Sequence, residues 1–240
     1  MTDIAMIFAA GRGERMRPLT DACPKPLLEA GGKPLIVWQI ESLARAGFTT
    51  IVINHAWLGE QFETALGDGS RWGVTLRFSA EGQALETAGG IAQALPLLET
   101  QGKPRAFIAI AGDLYTEFDY TVLREPLARL ARAPVPGMHL VMVPNPPFHP
   151  RGDFVLREGG VLSADDDQPR LTFGSIGIYD TRMFRDIAPG TACKLAPYFA
   201  QTIAAGRATG QRFDGVWHNV GTPAELREVD TRLRVSPPAR

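Results

Sequence analysis

Residues 9–26 read Ala-Ala-Gly-Arg-Gly-Glu-Arg-Met-Arg-Pro-Leu-Thr-Asp-Ala-Cys-Pro-Lys-Pro. They complete a short apolar run, 4–10, with the composition of a buried strand. Two glycines, three arginines and a lysine crowd into the loop that follows. Gly11 and Gly13 let backbone N–H groups turn inward and approach a ligand closely. Arg12, Arg15, Arg17 and Lys25 set four positive charges against Glu14 and Asp21. A glycine turn after a strand, net positive by two, suits a polyphosphate. Spacing excludes two commoner glycine motifs. A dinucleotide-binding turn needs a third glycine where Met16 stands, and a P-loop needs serine or threonine where Pro34 follows Gly32-Lys33.

Outward from this turn, strand and helix signals alternate. Apolar or β-branched runs at 50–53, 74–79, 106–111 and 140–143 read as strands. Helical patterns fall at 34–46, 58–66, 87–98 (interrupted at Pro96) and 122–131. This alternation predicts an α/β fold with a mostly parallel sheet and helices on both faces. Beyond Pro144 the pattern changes. A proline-rich loop at 144–150 leads to a hairpin of 153–157 with 161–163, a strand at 170–179 and helices at 193–205 and from Thr222. Thr222-Pro223-Ala224-Glu225 carries a cap, a first-turn proline and a glutamate three residues on. Residues 236–240 read as a frayed tail. The expected organisation is one domain, with an α/β half over 1–144 and a β-rich half over 145–240 closed by helices.

Composition excludes several classes. A formal net charge of −1 gives no global attraction for nucleic acid or an anionic membrane, so anion binding must be local. Two cysteines, Cys23 and Cys193, make no disulfide framework and fit a reduced cytoplasmic setting. The first apolar run lacks the features of a signal peptide, and no run is long enough to span a bilayer.

In open α/β sheets, ligands bind beyond the carboxyl ends of the strands. The ends at Ala10, Ser79, Ala111 and Val143 are followed by glycine, proline or charged residues, and these loops can converge on one crevice. Lys25 is the leading candidate to hold phosphate at a reacting centre. Arg15 is placed on the polyphosphate, with Gly11 and Gly13 as backbone donors. Arg12 and Arg17 read equally as phosphate contacts or as solvated surface charges. Asp113, directly after a strand in Gly112-Asp113, is the best metal candidate, against the plainer reading of a turn aspartate.

G-x-G-x-R-M-x-P-L-T-x-x-x-P-K-P resembles the signature of the sugar-1-phosphate nucleotidyltransferases. Within that family the chain is most similar to the bacterial N-acetylmuramate-1-phosphate uridylyltransferases. That likeness includes Asn54-His55-Ala56-Trp57-Leu58-Gly59, Leu85-Glu86-Thr87, Arg151-Gly152-Asp153-Phe154, Lys194-Leu195-Ala196-Pro197 and Val220-Gly221-Thr222. It implies a Rossmann-like nucleotide-diphospho-sugar transferase fold, with 1–144 as the nucleotide-binding half and 145–240 as the sugar-binding half. The implied substrates are UTP and a sugar 1-phosphate, the implied cofactor Mg2+, and the setting peptidoglycan recycling. Other sugars such as glucose or mannose, the latter with GTP, and a catalytically weak nucleotide-sugar-binding regulator are the alternatives. No nucleic-acid or membrane partner is implied, and a monomer or loose homodimer is expected.

The resemblance also implies site residues. Arg15, Lys25 and Asp113 are catalytic. Ala10, Gly11, Gly13, Glu81, Gly82 and Gly112 line the nucleotide. Glu86, Thr87, Asn145, Gly152, Asp153 and Lys194 contact the sugar phosphate, with Arg151 a candidate for a lactyl carboxylate. Asp113 and Asn219 hold the metal. Asn219 is a departure, since relatives usually carry aspartate just before Val-Gly-Thr and an amide oxygen ligates without charge. Ser175 also departs, standing where glycine is frequent. His55, Trp57 and Trp72 read as core or interface residues, and His218 as no ligand for a hard cation.

Overall fold

The chain is described by a computed structural model covering residues 4–99, 101–103 and 105–235. The tail read at 236–240 lies outside the described residues. Seven strands form one sheet: β1 (Ile4–Phe8), β2 (Thr50–His55), β3 (Thr75–Ala80), β4 (Ala106–Ala111), β5 (Met138–Val143), β6 (Thr172–Asp180) and β7 (Ala208–Arg212). Their order is β7-β5-β6-β4-β1-β2-β3. All run parallel except β6, which is antiparallel to both β4 and β5. The sheet is thus mostly parallel, as the alternation of elements implied.

Side chains alternate faces along each strand, so the sheet has two cores. Ala5, Ile7, Ile51, Ile53, Ile108 and Ile110 point to one. Ile4, Met6, Val52, Phe107 and Ala109 point to the other. Helices α1 (Leu35–Arg45), α2 (Glu60–Leu66) and α4 (Arg124–Arg132) send Ile36, Ile40, Leu43, Phe62, Leu66, Leu127 and Leu130 into the first core. Helices α3 (Glu86–Leu98) and α5 (Ala196–Ala204) send Ala88, Ile91, Ala94, Leu98 and Phe199 into the second. Helix α6 (Pro223–Val235) closes a third cluster, in which Leu226, Val229 and Leu233 meet Met16 and Val220.

Four details differ from the reading of the sequence. Helix α3 runs through Pro96 to Leu98 without interruption. Only its last turn follows the proline, so one backbone bond is forfeited near an end that frays anyway. Helix α5 begins at Ala196, leaving Cys193 and Lys194 in the preceding loop. Strand β7, Ala-Thr-Gly-Gln-Arg, carries no apolar run and is recognisable only once it pairs with β5 at the sheet edge. The hairpin is shorter than expected, Val155–Leu156 with Leu162–Ser163.

Candidate active site

A cleft of about 540 Å³ opens at the carboxyl ends of β1, β2 and β4. Its walls include Ala10, Gly11, Gly13, Arg15, Lys25, Asn54, Glu86, Thr87, Asp113 and Gly221. The structure therefore brings Arg15, Lys25 and Asp113 together, as their sequence positions suggested.

The glycine–arginine turn is held by its own side chains. Gly13 has φ +69°, and a Cβ there would lie 3.2 Å from Lys25 Cβ, so the lysine stem packs where only glycine leaves room. Thr20 Oγ1 donates to the Gly13 carbonyl at 2.9 Å. Arg12 and Arg17 both bond Asp21 Oδ1, at 2.8 and 2.9 Å. Their charges are spent on the loop, and the Arg12 hydrogen bond in particular holds the Asp21 carboxyl below its usual range. The Arg12 guanidinium also lies 3.8 Å from the Trp57 ring centroid, and Trp57 Nε1 donates to the Thr20 carbonyl at 3.0 Å. Trp57, read from sequence as packing, is the loop's clamp. Met16 is fully buried against Val220 and anchors the turn from below. Arg15 makes no ion pair among the described residues. Its guanidinium lies against Gly221, where a Cβ would approach Nη2 to 3.0 Å.

Lys25 is 9% exposed, and its Nζ donates to Asp113 Oδ2 at 2.5 Å on the cleft floor. Asp113 is positioned by backbone. Gly112 donates its N–H to the Phe8 carbonyl at 2.9 Å, and a Cβ on Gly112 would sit 2.9 Å from that same oxygen. Gly112 thus permits β4 to cross close to β1 and does not itself line the cleft. After Asp113, Leu114–Thr116 pairs with Trp217–Asn219, and Val220 N–H bonds the Asp113 carbonyl at 3.0 Å. Buried Gln39 donates to the Leu114 carbonyl at 2.8 Å and accepts from the Tyr120 hydroxyl at 2.5 Å. Burial pushes the Tyr120 phenol far up, so it remains a donor.

Among the described residues no three His, Cys, Asp or Glu side chains gather as a metal cage. A single carboxylate on the cleft floor fits Mg2+, which takes one or two carboxylates and would complete its shell with ligand phosphate and water. Asn219 pairs with Leu114, the residue after Asp113, but lines a neighbouring cleft of about 530 Å³ with Val143, Trp217, His218 and Glu228.

The model for the family described as Nucleotidyl transferase matches residues 4–144. This chain belongs to that family. It is 50% identical over 227 residues to the N-acetylmuramate alpha-1-phosphate uridylyltransferase of Neisseria meningitidis, covering 94% of this chain and 96% of the relative. The enzyme of the same name from Caulobacter vibrioides is 31% identical over 237 residues, covering 96% of each. A solved structure of a putative glucose-1-phosphate thymidylyltransferase from Bacillus anthracis shares the fold, with TM-score 0.81 and 18% identity over 99% of this chain and 98% of that one.

In this nucleotidyl transferase Glu86 and Thr87 are on the cleft lining, which does not include Glu81, Gly82, Asn145, Gly152, Asp153 or Lys194. Glu81 is engaged by neighbouring groups, and Gly82 is exposed at φ +71° with open space beside it. Glu86 lines the cleft at φ +60°, a left-handed conformation costly for a side chain. Asn145 donates to the Pro150 and Arg170 carbonyls at 3.2 and 3.0 Å and accepts from Thr172 at 2.8 Å. Asp153 accepts from Phe173 N–H at 2.7 Å and meets His149 Nε2 at 3.0 Å. Both side chains thus brace the 145–153 loop, and Gly152, at φ +64°, packs against Asn145. Lys194 is exposed beside Cys193, whose carbonyl accepts the Ala88 and Gly89 N–H groups of α3. Ser175 sits in a bulge of β6 at φ +55°, the geometry that favours the glycine expected there. Sequence reasoning missed Asn54, a buried polar residue in a strand, which is the one signal that marks it.

Proposed function

We propose that this nucleotidyl transferase joins UTP to N-acetylmuramate 1-phosphate, giving UDP-N-acetylmuramate and pyrophosphate. The carrying observation is the Lys25–Asp113 pair on the floor of a cleft whose wall bears Arg15, which has no ion-pair partner among the described residues. The two relatives named for this activity, aligned over nearly the whole chain, support the choice of base and sugar.

A phosphate oxygen of the sugar 1-phosphate attacks the α-phosphorus of UTP, and the bond to the β-phosphate oxygen breaks. The attacking monoester has a second pKa near ~6, so it is ionised near neutrality and no general base is required. The obstacle is the meeting of two anions. A cation ~4 Å from a phosphate oxygen gains on the order of 4 kcal/mol at an effective dielectric of ~20. Lys25 brings its ammonium on a buried stem, where salt screens it little, and shares that charge with Asp113. Gly11 and Gly13 offer backbone N–H donors to the polyphosphate. Arg15, exposed on the cleft wall, meets the leaving pyrophosphate. Asp113 would hold Mg2+, with Asn219 on the adjoining cleft as the second candidate ligand, and the ion would further neutralise phosphate charge. Glu86 and Thr87 face the sugar. Positioning and charge thus carry the catalysis. The setting we infer is cytoplasmic peptidoglycan recycling by a monomer or loose homodimer; among the described residues no helix is long and apolar enough to cross a membrane.

Pyrophosphate release from a panel of nucleoside triphosphates and sugar 1-phosphates, with Mg2+, tests this. UTP with N-acetylmuramate 1-phosphate is expected to exceed UTP with glucose 1-phosphate by about tenfold or more in kcat/KM. The reverse order overturns the sugar. Tight binding of UDP-sugar without turnover favours the regulator reading, which Asn219 in place of a carboxylate keeps open.

A further inference from the structure

Two side chains tie together three walls of the cleft. Asn54, near the end of β2, is 3% exposed. Its Oδ1 accepts the Ala9 N–H at 3.1 Å, where β1 gives way to the glycine–arginine turn. Its Nδ2 donates to Glu81 Oε1 at 2.6 Å. The other carboxylate oxygen of Glu81 accepts the Leu85 N–H at 2.8 Å, one residue before α3 begins with Glu86 and Thr87. The Glu81 N–H in turn bonds the His55 carbonyl at 2.9 Å. Gly90 in α3 lies against the pair. A Cβ there would fall 2.5 Å from Glu81 Oε1 and 2.8 Å from Asn54 Nδ2.

Both Glu81 oxygens are therefore occupied by protein donors. The carboxylate is half-buried and has no cationic partner among the described residues, a costly arrangement for stability alone. Burial accordingly lifts its pKa, with the Asn54 and Leu85 bonds working the other way. What the arrangement does is mechanical. It fixes the distance from the polyphosphate turn, at Ala9, to the helix start that bears Glu86 and Thr87. A nucleotide lying between these walls is held by both.

We propose that Asn54 and Glu81 act as one positioning device that sets the width of the nucleotide cleft, and that Glu81 does not touch the base. This rests on the reading of the cleft as the UTP site. It differs from the base contact that the family resemblance implied for Glu81.

The pair can be inverted chemically. E81Q retains an acceptor for Leu85 N–H but turns an amide donor toward the Asn54 amide. N54D still accepts from Ala9 but faces a carboxylate with a carboxylate. The double variant N54D/E81Q restores both bonds with donor and acceptor exchanged. Each single variant is expected to raise KM for UTP about tenfold, more than KM for the sugar 1-phosphate, while the double returns to within about threefold of the parent. Amide hydrogen exchange at Ala9 and Leu85 follows the same pattern, protection lost in the singles and regained in the double. A double variant as impaired as E81Q overturns the proposal, because a hydrogen bond from the base to the carboxylate would not be restored by changing Asn54. Unchanged KM in E81Q overturns it too, as does a loss confined to kcat with both KM values intact. Should N54D alone not fold, E81Q and the double carry the same comparison. If the parent turns over another triphosphate in place of UTP, the base assignment falls and the cycle is read with that nucleotide.

Discussion

At the scale of single residues, the site is a set of charges whose partners decide their use. Three arginines share the opening turn, yet Arg12 and Arg17 are bound to Asp21 and only Arg15 is left for a ligand. Glu86 shows the converse, a strained residue at the mouth of the cleft. Replacing it with glycine removes a left-handed penalty of about 1 kcal/mol, so E86G is expected to melt higher while its kcat/KM for the sugar 1-phosphate drops. Calorimetry and pyrophosphate release on one preparation measure both, and a variant that gains stability without losing activity removes Glu86 from the substrate. Asn219 poses the charge question directly. N219D adds a carboxylate one strand register from Asp113, so the Mg2+ concentration for half-maximal rate should fall about tenfold if charge at the metal limits turnover. An unchanged Mg2+ dependence places Asn219 outside the metal shell. Arg15, Lys25 and Asp113 were legible because their spacing from a strand and a glycine turn is local. Asn54 and Trp57 were not, because their partners Glu81 and Thr20 lie 27 and 37 residues away and no pattern along the chain records such a meeting.

At the scale of elements, helix α3 joins the cleft to the second half of the chain. Its Ala88 and Gly89 N–H groups donate to the Cys193 carbonyl at 3.0 and 3.1 Å, and Cys193 N–H returns a bond to the Leu85 carbonyl at 2.9 Å. The segment before α5 thus caps α3 from outside, supplying the acceptor that Leu85, at the cap position, lacks. Gly89 makes this docking possible, since a Cβ there would lie 2.3 Å from the Thr191 carbonyl oxygen. G89A is expected to cost about 2 kcal/mol by overpacking and to raise KM for the sugar 1-phosphate through displacement of Lys194. G11A is the control, because Gly11 has open space around it and should lose less than about 0.5 kcal/mol. Denaturant midpoints of the two variants, read beside their KM values, separate a packing effect from a direct role in binding. The glycines of α3 are plain in the sequence, but their purpose is not. A close approach between segments a hundred residues apart leaves only the small residue as its trace. Strand β7 escaped notice for a related reason, being a polar edge strand whose pairing with β5 is decided by tertiary contact rather than by pattern.

Across the whole molecule, one sheet carries both halves, and two buried histidines give it a pH dependence. His139 on β5 is 4% exposed and sits between Thr209 and Gln211 of β7, at 2.9 and 3.1 Å. A neutral ring satisfies both, donating to the Gln211 oxygen and accepting from the Thr209 hydroxyl. His55 stacks on Phe62 with ring centroids 5.9 Å apart, and its buried Nε2 has no hydrogen-bond partner among the described residues. Burial pushes both imidazoles below their ordinary value. The unfolded chain then takes up protons at a pH where the folded protein does not, so stability is full above the unfolded value near ~6.5 and declines as pH falls below it. The slope is at most about 1.4 kcal/mol per pH unit for each histidine. Glu81, held up by burial, works in the opposite sense. Denaturant midpoints are therefore expected to hold level from about pH 8 to 7 and fall toward pH 5.5. H139Q, which keeps a polar group between Thr209 and Gln211 and removes one titration, should flatten that fall. An equally steep fall in H139Q would assign the acid sensitivity to His55, whose ring lies against Gly59 in the loop that follows Trp57, a Cβ there falling 2.0 Å from Nδ1.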